Sequence, residues 1–214
     1  MSLLLRAPEQ VASWVWDLEE VLPVGLQPAL ENAARMSTVL SQHGLLEPTG
    51  MKWGWFVARK GGTGVQTELS LPNGLIDSAD AAQKVLQCRP VGFDAAQPTS
   101  IVITGNGEWF DEEGHSRKQW RLVELSVTPN KMGPLAEVSV FHDIWGECDF
   151  RGDLHPKLYQ RNAPRLAAAL KALDELLGVP CEPGEFTYFG SAEGYGVAAP
   201  DLIDGRGPDL TDRL

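Results

Sequence analysis

Between residues 99 and 151 the chain alternates apolar and polar positions in short runs, and the connections between runs are too short to hold a crossover helix. Strands joined so closely must pair antiparallel, since a parallel return needs a dozen residues or more. Residues 99–104 are rich in Thr, Val and Ile, which suit a pleated, half-buried surface. Gly105-Asn106-Gly107 then predicts a turn, with 108–111 as the returning strand and 111–116 as a polar loop. From 118 to 128, Val123, Leu125 and Val127 share one face with Arg121, opposite Trp120, Leu122, Glu124 and Ser126. Residues 129–134 read as a loop, and 136–143 alternate again with Val138, Val140 and His142 on one side.

The flanks predict helices. Val11, Trp14, Val15, Leu18 and Leu22 fit one helical stripe that Pro23 stops, although Trp14 and Trp16 cannot share a helix face. A second helix is expected over 27–43, with Leu26, Leu30, Ala33, Ser37 and Leu40 inward and Gly44 just past its end. Residues 53–59 and 65–71 read as a hairpin joined by a glycine-rich turn at 60–64. No Gly-Lys-Ser/Thr follows those glycines and no helix pattern opens after them, so they do not make a phosphate loop. Pro72-Asn73-Gly74 predicts a turn, and Asp77 or Ser78 a cap for a short helix through 87. The clearest helix is 162–177, with Asn162 as cap, a stripe of Leu166, Leu170, Leu173 and Leu177, and Gly178 as terminator. Residues 181–214 read as an irregular acidic segment, with 185–189 as an edge strand and Phe186, Tyr188, Phe189 and Tyr195 as aromatic anchors.

The expected architecture is therefore α+β in one domain over 1–214: N-terminal helices in 1–50, a sheet in 51–151, the helix at 162–177 and the irregular segment from 181. The antiparallel sheet should have about five to seven strands in meander order, with an N-terminal helical hairpin and the late amphipathic helix on one face. The loops 105–117 and 143–153 and the open sheet face then form the working end.

Charge narrows the partners. With 29 acidic and 18 basic residues the net charge is −11. Nothing in the sequence clusters Lys and Arg, so nucleic acid and anionic membrane surfaces are disfavoured and a basic or cationic protein is favoured. No apolar run approaches the roughly 20 residues of a membrane span. Three widely spaced cysteines suit a reducing compartment, which makes a cytoplasmic location the expectation.

No motif specifies a chemistry, and no cofactor is expected. The leading expectation is a non-enzymatic acidic module that binds, and blocks, a basic partner, as an inhibitor of the immunity type does. Trp109, Asp111, Glu112, Trp145 and Asp149 are the residues expected at its surface. The alternative is a metal-dependent hydrolase built on His142, Asp153 and His155, since imidazole and carboxylate are ligands for zinc, iron or manganese. That segment holds neither a His-x-x-x-His nor a Cys-x-x-Cys, and it reads rather as an acidic loop at a strand end, with His142 packed in the sheet and His155 near a helix start.

Overall fold

The computed structural model describes residues 4–71, 76, 78–129 and 133–214. Its elements run β1 (Ala12–Asp17), α1 (Leu26–Gln42), β2 (Glu47–Val57), β3 (Gly61–Ser70), α2 (Ser78–Gln87), β4 (Gln97–Phe110), β5 (Ser116–Trp120), β6 (Val123–Thr128), β7 (Leu135–Val140), α3 (Pro156–Leu177) and β8 (Glu182–Pro183). A short pair, β9 (Ala192–Glu193) and β10 (Gly196–Val197), closes the order of strands. The predicted turn at 72–74, the Asp77 cap and the middle of the 129–134 loop lie outside the described residues.

The α+β class and the antiparallel sheet hold, but the sheet is larger and its order is not a meander. Eight strands run β3-β2-β4-β6-β7-β1-β8, with β5 pairing off β4. The first strand lies beside β7, in register from Ala12 against Val140 to Asp17 against Leu135. The N-terminal helical hairpin is thus replaced by a strand and one helix. Trp14 and Trp16 both reach zero exposure on the core face of β1, beside Ala12, while Val15 and Asp17 point the other way. A two-residue period buries both indoles together, which no helix can do, and Trp and Val favour a pleated surface.

The second departure is at Gly105-Asn106-Gly107, where β4 runs straight on for 14 residues instead of turning. These glycines serve close approach. A Cβ on Gly105 would lie 1.8 Å from the Glu47 carbonyl oxygen, and one on Gly107 would lie 2.3 Å from that of Leu45. The chain turns at 111–115 instead, within the predicted polar loop, and the strand expected over 118–128 is broken at Arg121, whose φ of 54° separates β5 from β6. On β6 and β7 the predicted apolar faces hold: Val123, Leu125, Val127, Val138 and Val140 are all buried.

α1 ends as expected. Gly44 takes a left-handed φ of 67°, and the Leu45 amide donates to the Leu40 carbonyl at 2.8 Å. α3 starts seven residues earlier than the Asn162 cap predicts, with His155 at the cap position and Pro156 in its first turn. Asn162 is instead fully buried in mid-helix. Its Oδ1 accepts from the Phe110 amide at 2.9 Å and its Nδ2 donates to the Phe110 carbonyl at 2.8 Å, riveting α3 to the end of β4. One core joins the three helices to the inner sheet face. No described helix is long and apolar enough to cross a membrane.

Candidate functional site

The C-terminal segment is held against the body by a clasp at Asp174 of α3. Its Oδ1 accepts from the Trp16 indole at 2.7 Å and from the Cys181 amide at 3.0 Å, and its Oδ2 accepts from the Tyr195 hydroxyl at 2.6 Å. That last bond, with burial adding to it, pushes the Tyr195 hydroxyl up to about 12. The Trp14 indole donates to the Gly194 carbonyl at 2.7 Å, and the Thr187 hydroxyl to the Gln10 carbonyl at 2.6 Å. Further along, Leu210 bonds the Phe150 carbonyl at 2.7 Å, and Arg206 pairs with Asp153 at 2.8 Å.

Thr187 decides the local geometry. With its hydroxyl spent inward on Gln10, its neighbours Phe186 and Tyr188 stand out in solvent, 83% and 71% exposed. Only Phe189, stacked edge-on against Phe150 at 5.5 Å, and the partly buried Tyr195 act as the anchors that the sequence predicts. The predicted edge strand at 185–189 is displaced to Glu182–Pro183, which pairs with Trp14 and Val15.

Phe186 and Tyr188 form a ridge between two depressions. On one side lies a cleft of about 370 Å³, where Asp143, Glu147 and Asp149 face Phe150 and the 186–191 turn. On the other side lies a shallower depression lined by Glu9, Gln10 and Glu185. Five carboxylates flank the ridge, and among the described residues no Lys, Arg or His lines either depression, while Arg213 lies over the Tyr188 ring.

The carboxylates differ in state. Asp143 is 2% exposed, and its hydrogen bond from the Leu5 amide, 3.3 Å, is long. Burial, reinforced by the charge of Asp149, pushes it up to about 7. Asp149 accepts from the Arg151 and Asp153 amides, both at 2.9 Å and both on Oδ1, so its Oδ2 remains open. The 148–154 loop, which carries Asp149 and Asp153, is closed by a backbone strand bridge between Cys148 and Leu154.

Of the residues expected at the surface, Asp149 lines the cleft. Trp145 is in the core at zero exposure and Trp109 nearly so at 7%, so neither indole is available to a partner. Trp109 faces inward from β4, and Trp145 lies in a helical turn, 143–145, whose three residues are all buried, which Trp abundance alone does not reveal. Glu112 is exposed at the β4–β5 turn, where Asp111 is spoken for: it takes the His115 amide at 2.8 Å and Arg117 at 3.0 Å. Those partners outweigh its desolvation and hold it down at about 2.

Among the described residues, His142, Asp153 and His155 are not brought together as one group of ligand atoms. His142 is buried with neither ring nitrogen bonded, and burial beside Arg6 pushes it down to about 4. The His155 ring sits 2.8 Å from the Gly146 carbonyl, and Asp153 pairs with Arg206. Among the described residues the group of three ligand-type side chains that does converge is Asp111, Glu113 and His115, where Arg117 already neutralises the buried member. Asp143, Glu147, Phe186 and Tyr188 were not singled out as a site by the sequence. The signal available was Thr187: a small polar residue between two aromatics inverts the pattern of an edge strand. Compared with protein-family models, curated proteins and solved structures, the chain matches none.

Proposed function

We propose that the protein is a non-enzymatic acidic module that binds a basic protein across the ridge of Phe186 and Tyr188. The observation that carries this is the ridge itself: two exposed aromatics between carboxylates on both sides, with no cation lining either depression. Aromatic anchors supply contact area at interface cores, and a single-sign surround steers an oppositely charged partner. A basic enzyme whose own anion-binding site is covered by this surface is one partner of that chemistry, which makes an inhibitor of the immunity type the specific form of the proposal.

The test is affinity capture by the immobilised protein, repeated with the double variant Glu147→Lys, Asp149→Lys. A partner captured by the unsubstituted protein, released by about 0.5 M salt and refused by the variant supports the reading. A partner indifferent to both changes sinks it.

A further inference from the structure

We infer that the cleft and the ridge beside it together receive an arginine side chain of that basic partner, and that Arg213 of the chain itself covers the Tyr188 ring until the partner arrives. The inference rests on the binding surface proposed above and names what it recognises.

The guanidinium carbon of Arg213 lies 4.7 Å from the centre of the Tyr188 ring, over its face. This contact is built. Asp209 takes the Thr211 amide at 3.0 Å and its hydroxyl at 2.6 Å, turning the last residues back so that Arg213 reaches the ring. Among the described residues Arg213 pairs with no carboxylate. A cation on an exposed ring with no counter-ion is held weakly. The carboxylates that would complete the seat lie in the adjoining cleft: Asp149 with its open Oδ2, and Glu147, which forms no ion pair. A partner's arginine entering along the ridge can stack on an aromatic face and place its fork on these carboxylates together, which Arg213 does not do. The same geometry prefers arginine to lysine, because only the planar guanidinium both stacks and forks.

The experiment is fluorescence anisotropy with labelled hexa-arginine and hexa-lysine peptides, titrated with the intact protein and with the variants Tyr188→Leu and Arg213→Ala. Both substitutions are at exposed positions, and circular dichroism verifies folding. The expected result is hexa-arginine binding about fivefold more tightly than hexa-lysine, loss of that preference in Tyr188→Leu, and about threefold tighter binding in Arg213→Ala. Equal binding of the two peptides, unchanged in Tyr188→Leu, overturns the arginine receptor while leaving the acidic surface standing. Failure of either peptide to bind, even at low salt, overturns the surface and the inference together. Arginine preference with unaltered affinity in Arg213→Ala overturns the role given to Arg213.

Discussion

His142 and Asp143 are chain neighbours with opposite proton linkage, and separating them is a sharp test of the buried site. Asp143 is raised from 3.8 to about 7, so the native state binds its proton more readily than the unfolded chain. Stability from this group is greatest below about pH 4 and is lost as pH rises through 7. His142 is lowered from 6.5 to about 4, so the unfolded chain takes the proton first. Stability from this group is complete above 6.5 and is lost as pH falls toward 4. At about 1.4 kcal/mol per unit the ceilings are ~4 kcal/mol for Asp143 and ~3 kcal/mol for His142. The effective dielectric around buried groups lies well above that of dry protein, so about half of each is expected. In the unsubstituted protein the two slopes oppose each other between pH 4 and 6.5 and largely cancel. Asp143→Asn keeps an acceptor for the Leu5 amide and removes the charge. It should stabilise the protein by about 2 kcal/mol at pH 8 and then lose about 2 kcal/mol more than the unsubstituted protein on going down to pH 4.5. Urea unfolding at constant ionic strength across that range reads both quantities. Parallel stability curves for the two proteins would refute the burial argument for Asp143, and with it the distinct state assigned to this wall of the cleft.

Three further outcomes follow from contacts described above. Asp174→Ala leaves the Trp16 indole without an acceptor and releases Tyr195. A loss of about 3 kcal/mol is expected, together with new proteolytic cleavage within 182–197; an unchanged digest would contradict the clasp. Gly107→Ala drives a Cβ to within 2.3 Å of the Leu45 carbonyl oxygen and should cost about 3 kcal/mol or more, whereas Gly62→Ala meets nothing within 4 Å and should change the unfolding midpoint little. Asn162→Ala strips both backbone groups of Phe110 of their partner and should cost about 2 kcal/mol by thermal or urea unfolding, with Asn162→Asp recovering at most the bond to the amide.

What could be read from the chain, and what could not, follows from the range of the forces involved. α1, α3 and the inner faces of β6 and β7 are written in local periodicity, because each buries a continuous stripe. Gly44 and Gly178 end their helices in left-handed geometry, a demand of the residue itself. The failures came where a distant neighbour decides. Gly105 and Gly107 look like a turn until Glu47 and Leu45 press against them. Asn162 looks like a cap until β4 offers Phe110. Residues 12–17 suit either period, and Val138 and Val140 on β7 settle the matter by pairing with them. The ridge was hidden for a related reason: aromatics are expected inward, and only the bond from Thr187 to Gln10 turns Phe186 and Tyr188 out.

The position of β1 bears on how the chain assembles. It comes first in the order of described strands, yet both its neighbours come from far downstream, β7 at 135–140 and β8 at 182–183. The strands β2 to β7 can pair through shorter loops and set up a six-strand template with β7 as a bare margin. β1 then closes that margin together with the segment carrying the clasp and the ridge. Such long loop closures are slow and come late. The 182–197 segment should therefore share its protection with β1 as one cooperative opening unit, so that amide exchange in 12–17 and 182–197 rises and falls together. The segment that completes the sheet is thus also the one that carries the surface proposed for the partner.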